Sequence, residues 1–331
     1  MGNREGKDGR ELEISGGFQI DDAHEDSCRS VLFLDAAESL VSGSADCSLR
    51  ISDRNTGMEK RRIKDAHEAG IGKLALVDGH TFVSGDDDGL IKVWDIRQKE
   101  QVCQLGGHTD FISDFLWVKN SKRLLSTSGD GTLGVYELRK GKEMARSENQ
   151  EDELLSVALL KEGKKVLCGT QSGMINIFSW GYFKDMNDRL AGHPESVDAL
   201  IKFDEDTILT GSSDGIIRIV QVLPNKILGV VGEHIDYPIE RLGITSDSMV
   251  LASTSHDKSV KLWDISFLHE DEGTGSEEDE EDKQPEEAAP EQAEDSDSEG
   301  EGGKRRKKRK GKDAGGKKGK GNVDASFFDD L

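Results

Sequence analysis

Short stretches of loosely alternating apolar and polar residues recur along the chain, each closed by a tight-turn signal. Arg123 to Ser128 (RLLSTS) runs into Gly129-Asp130-Gly131 and is followed by Thr132 to Leu138 (TLGVYEL). The same succession holds for Thr81 to Ser84, DDDG and Leu90 to Ile96, and for Thr207 to Gly211, SSDG and Ile216 to Val222. Period-two patterning between glycine- and aspartate-rich turns predicts antiparallel strand pairs.

The pattern repeats. Ser52, Trp94, Tyr136, Phe178 and Val220 are each 42 residues apart, and Trp263 follows 43 later. Six residues before each stands a turn position: Asp46, Asp88, Asp130, Ser172, Asp214 and Asp257. Four before each of those comes a small residue: Ser42, Ser84, Ser126, Cys168, Thr210 and Ser253. A histidine precedes five of the turns, at 24, 67, 108, 193 and 234; the fourth unit has Glu151 near the expected place. Units of this length built of short strands are similar to WD repeats, whose dipeptide stands at Trp94-Asp95 and Trp263-Asp264. The expected fold is all-β, a WD-repeat β-propeller with six visible repeats and a disordered C-terminal tail.

In WD repeats the histidine, turn aspartate, strand Ser/Thr and tryptophan hydrogen-bond to one another, which satisfies polar groups otherwise buried unpaired. Two units carry a full set by this count: His67, Ser84, Asp88, Trp94, and His234, Ser253, Asp257, Trp263. The second unit should be among the most rigid and the fourth the most divergent.

The expected organisation is an N-terminal segment 1–22, a propeller over 23–269, an acidic linker 270–303, a basic run 304–320 and a short motif 321–331. The last repeat lacks an outer strand. Glu11 to Ile20 (ELEISGGFQI) sits where such a strand could complete it and cover an open sheet edge. The other reading is that one N-terminal blade is absent.

Charge separates the tail from the rest. The net charge is −22, and hydrophobic residues make up only 34% of the chain. From Glu270 to Glu301 the only cation among many acids is Lys283, and from Lys304 to Lys320 the only acid is Asp313. Such blocks repel themselves and bury too little to offset their ordering entropy, so disorder is expected from about residue 270. Cys28, Cys47, Cys103 and Cys168 form no CxxC pair, which suggests neither a metal site nor a disulfide framework. No apolar run reaches the roughly 18 residues of a membrane span. Met1-Gly2 lacks the Ser or Thr at position 6 that myristoylation prefers, since Gly6 stands there.

In addition to the repeat pattern, several stretches carry a closer resemblance: LLSTSGDGTLG from Leu124, EDELLSVA from Glu151, GKKVLCGT from Gly163, WGYFKDMND from Trp180, SVDA from Ser196, Gly215 to Asn225 with its LPN turn, and SFFDDL from Ser326. Together they resemble the WD repeat-containing protein 55 family, plant members most closely. That resemblance implies seven blades, residence in the nucleus and nucleolus, a role in ribosomal RNA production and ribosome-assembly factors as partners. For plant members it also implies a link to cullin-4 ubiquitin ligases.

Four features fit such a role. Trp94, Asp95 and Arg97 form a WDxR sequence of the kind that docks on the DNA-damage-binding adaptor of cullin-4 ligases, where an arginine fork meets carboxylates. Lys304, Arg305, Arg306, Lys307, Lys308, Arg309 and Lys310 read as a nuclear import signal able to contact RNA without sequence preference. Ser276, Ser296 and Ser298 each have an acid three residues on, which suits an acid-directed kinase. Phe327 and Phe328 read as a C-terminal docking motif. Neither a cofactor nor a small-molecule substrate is expected. The Ser, His and Asp that could suggest a hydrolase recur at blade spacing, whereas a catalytic set is needed once.

Overall fold

The computed structural model describes residues 19–34, 36 and 38–272. These fold into six antiparallel sheets, each a meander whose strands neighbour one another in chain order. The first holds β1 (Cys28–Leu34), β2 (Ser39–Ser44), β3 (Leu49–Asp53) and β4 (Glu59–Ile63). The second holds β5 (Ile71–Leu76), β6 (Thr81–Asp86), β7 (Ile91–Asp95) and β8 (Cys103–Leu105). The third holds β9 (Ile112–Val118), β10 (Arg123–Ser128), β11 (Leu133–Glu137) and β12 (Lys142–Arg146). The fourth holds β13 (Leu154–Leu160), β14 (Lys165–Thr170), β15 (Ile175–Ser179) and β16 (Asp188–Leu190). The fifth holds β17 (Val197–Lys202), β18 (Thr207–Ser212), β19 (Ile216–Gln221) and β20 (Lys226–Glu233). The sixth has three strands among the described residues, β21 (Ile239–Ile244), β22 (Val250–Ser255) and β23 (Val260–Asp264).

This is the expected WD-repeat β-propeller, with the six visible repeats forming six blades among the described residues where the resemblance implies seven. The strands match their sequence patterns to within one or two residues, except that Leu138 leaves β11 for a short 3-10 turn, Leu138–Lys140. The turn between second and third strands needs a left-handed residue. Gly89, Gly131, Gly173 and Gly215 supply it in four sheets, while Cys47 and Lys258 adopt φ of 64° and 66° in the other two. A 3-10 turn, Ser266–Glu272, follows β23 and crosses the expected propeller boundary at 269.

The core is laminated between sheets. In the first five sheets the third strand sends two apolar side chains toward the first strand of the next sheet. Leu49 and Ile51 pack with Ile71 and Leu74, Ile91 and Val93 with Ile112 and Phe115, and Leu133 and Val135 with Leu154 and Val157. Ile175 and Ile177 meet Val197, and Ile217 and Ile219 meet Ile239. Every one of these residues is buried. Burying such a side chain contributes about 1.5–3 kcal/mol, so five such layers dominate the stability.

Among the described residues no comparable layer joins the sixth sheet to the first. Val260 and Leu262 of β23, the equivalents of those third-strand pairs, are 66% and 51% exposed. On the other side of the seam Val31 is 55% exposed, whereas Leu74, Phe115 and Val157, at the same register opposite the second strand, are buried. The segment expected to close the ring, Glu11 to Ile20, lies outside the described residues except for Gln19 and Ile20, which form no strand.

Candidate functional site

Loops before the first strands and turns after the second strands meet at one end of the sheets, and the repeated polar residues gather there. In the sixth sheet the expected set assembles in full. His234 Nε2 and Trp263 Nε1 reach Ser253 Oγ at 2.7 and 2.8 Å, and His234 Nδ1 lies 2.7 Å from Asp257. The hydrogen bonds from His234 and from the Ser259 hydroxyl hold the Asp257 carboxyl down at about 2.

The second sheet corrects the sequence expectation. His67 Nε2 and Trp94 Nε1 share Ser84 Oγ at 2.6 and 2.7 Å, but His67 Nδ1 pairs with Asp86 at 2.7 Å rather than with Asp88. Asp86 is the last residue of β6, where other sheets carry Ser or Thr. In the first and third sheets that serine, Ser44 or Ser128, accepts the N–H of the turn aspartate, which accepts the N–H two residues on. Asp86 Oδ1 accepts both, from Asp88 and Leu90, and its Oδ2 remains for the histidine. The Asp88 side chain is thereby released to solvent.

The remaining sheets keep parts of the set. His24 bonds to Ser42, Asp46 and Ser48, with Ser52 where an indole would sit. His108 bonds to Ser126 and Asp130, and Tyr136 replaces tryptophan, its hydroxyl accepting from Arg146 at 2.9 Å. Burial pushes the Asp130 carboxyl up, but hydrogen bonds from His108 and Thr132 outweigh it and leave it well below the usual range. In the fifth sheet His193 keeps Thr210 at 2.8 Å, while Asp214 is held by Arg218 at 3.0 and 2.6 Å. In the fourth, Gln150 rather than Glu151 occupies the histidine position. Its N–H donates to Gly131 O as that of His234 does to Gly215 O, and Gln150 is buried while Glu151 is exposed. Ser172 bonds Asp152.

Cations and acids pair around the axis of the sheets. Arg29 holds Asp87 at 2.7 Å and Lys73 holds Asp114 at 2.6 Å. A cavity of about 230 Å³ there is lined by Arg29, Asp87, Asp198, Glu240 and Arg241 together with apolar and small residues. The buried serines and histidines point into internal hydrogen bonds, so they are frame.

Trp94, Asp95 and Arg97 lie together at the end of β7. Arg97 Nε and Nη2 fold back on Asp95 at 2.8 and 2.6 Å, and the Asp95 carboxyl drops to about 2 through those hydrogen bonds. The guanidinium fork expected to meet a partner's carboxylate is closed on the chain's own. Ser276, Ser296, Ser298, the basic run Lys304 to Lys310, and Phe327 and Phe328 lie outside the described residues.

The fold has many counterparts among solved structures. A computationally designed protein, Ika8, superposes with a TM-score of 0.60 at 24% identity over 74% of this chain and 73% of that one. A chain of the mitotic checkpoint complex gives 0.64 at 18% identity over 71% and 74%. Both likenesses speak to the fold alone.

Sequence relatives go further. WD repeat-containing protein 55 of Arabidopsis thaliana is 41% identical over 77% of this chain and 72% of its own length. The protein of that name from Danio rerio is 45% identical over 75% of this chain and 64% of its own, and the Homo sapiens one 34% over 74% and 64%. The family model WDR55 matches residues 14–268, which include all six sheets. With a six-bladed WD-repeat frame under that match, the chain belongs to the WD repeat-containing protein 55 family.

Proposed function

We propose that the chain is a non-catalytic nuclear scaffold that holds proteins together during ribosomal RNA production in the nucleolus. One observation carries the non-catalytic part. The Ser, His and Asp residues that could do chemistry recur from sheet to sheet in buried internal hydrogen bonds, as His67–Ser84, His108–Ser126 and His234–Ser253 do. A propeller so braced leaves its two faces and its rim for partners. The run Lys304 to Lys310 supports the nuclear address, because a block of like cations suits import receptors and phosphate-rich surroundings. Family membership supports the ribosomal role.

Purification of the tagged chain from nuclear extract, read by mass spectrometry, is expected to bring down pre-ribosomal particles. Depletion is expected to leave unprocessed ribosomal RNA precursor. Normal precursor levels after depletion would sink the reading.

A further inference from the structure

The two ends of the sheets differ in charge. Loops at the histidine end are dominated by carboxylates, among them the runs 86–88 and 151–153, with few lysines. Loops at the other end, such as 119–122, 138–141 and 161–164, carry lysine and arginine with Glu162 as their one acid. The imbalance is sharpest at the fourth sheet.

Three features coincide there. Gln150 stands in the histidine's place, 7% exposed, its Nε2 donating to Glu148 O at 2.7 Å. Its Oε1 is buried with no hydrogen-bond partner among the described residues. That side chain lines a cavity of about 280 Å³ with Glu151, Asp152, Ser172, Asn176 and, at one side, Arg189. An adjoining hollow of about 270 Å³ shares Glu151 and Asp152 and adds Asp130 and Glu153.

The local cation is also missing. Two residues before the tryptophan position of the third strand stand Lys92 in the second sheet, Arg218 in the fifth and Lys261 in the sixth. These reach Ala66 O, Asp214 and Glu233 O at the histidine end. In the fourth sheet that residue is Asn176, buried and neutral. Arg189 is exposed and its Nε donates to Met186 Sδ. Glu151, Asp152 and Glu153 form no ion pair among the described residues.

A buried acceptor that lacks a donor is left with its desolvation uncompensated, and an ammonium or guanidinium brings several donors and the matching charge. We infer that this hollow at the fourth sheet receives a lysine or arginine side chain from a basic segment of a partner protein, with Gln150 Oε1 at the base and Glu151, Asp152 and Glu153 at the mouth. The same carboxylates repel a nucleic-acid backbone, so the partner is a polypeptide. The inference stands independently of the ribosomal reading.

The test is titration of the full chain with a short labelled peptide of alternating lysine and glycine, followed by fluorescence anisotropy. Glu151→Gln with Glu153→Gln is compared with Glu162→Gln and Glu205→Gln, which remove the same charge from exposed residues at the other end. The first pair is expected to weaken binding about tenfold and the second less than about twofold. Gln150→Glu, which adds a carboxylate at the base, is expected to tighten it. Equal losses for both pairs would reduce the effect to the general attraction of an acidic chain and overturn the site, as would a peptide indifferent to all three variants. Circular dichroism of each variant checks that the sheets are intact.

Discussion

Arg218 has taken the carboxylate that His193 lacks. Its Nη1 and Nη2 reach Asp214 at 3.0 and 2.6 Å, and His193 is left with Thr210 alone, its Nδ1 buried and unpartnered among the described residues. Burial, and then the charge of Arg218, lower the His193 pKa to about 4.

That shift makes stability depend on pH with a defined sign. The folded state holds His193 neutral down to about pH 4, while the unfolded chain protonates it near 6.5. Its contribution is therefore complete above about pH 6.5 and is lost as pH falls toward 4. Between pH 7 and 5 this residue should remove about 2 kcal/mol. In urea unfolding, His193→Gln should lose less stability than the native chain over that interval, by about that amount. Parallel pH dependences would exclude the assignment.

The two aspartates of the second turn should behave oppositely. Asp86 serves His67 and two backbone N–H groups from a buried position, so Asp86→Ala should cost about 2–4 kcal/mol. Asp88 offers only its backbone N–H to that network, and Asp88→Ala should stay within about 0.5 kcal/mol. Denaturant midpoints of the two variants decide between Asp86 and Asp88 directly.

A third contrast concerns the seam. Ile91 is buried against the third sheet, and Ile91→Ala should cost about 2–5 kcal/mol. Val260 holds the equivalent place in the sixth sheet but is exposed, and Val260→Ala should cost less than about 0.5 kcal/mol. Comparable losses at the two positions would mean that the seam is filled in solution.

Most of the frame is legible in the chain because strand, turn and core positions recur at one spacing. What spacing cannot read is which of several neighbouring polar groups the turn selects. Counting back from Trp94 lands on Asp88, yet three consecutive aspartates occupy that turn and the choice follows from reach. The same holds in the fourth sheet. Glu151 is an obvious polar residue near the histidine position, but backbone pairing to Gly131 O places Gln150 there. The Arg97 side chain is a third feature that spacing alone does not place. A WDxR sequence states that an arginine is present, and only geometry shows its fork turned back on Asp95.

Val260 and Val31, exposed with no covering layer among the described residues, alter how the ring those residues form should come apart. A closed circle of blades has no ends, so opening it anywhere sacrifices interfaces on two sides. Cut once, the circle becomes a short array with a first and a last member, each propped on one side only, and stability becomes a sum over nearest neighbours. Amide exchange should then be graded along the array. It would be fastest in β1 and β23 and slowest in the third and fourth sheets, so that the molecule frays inward from the cut.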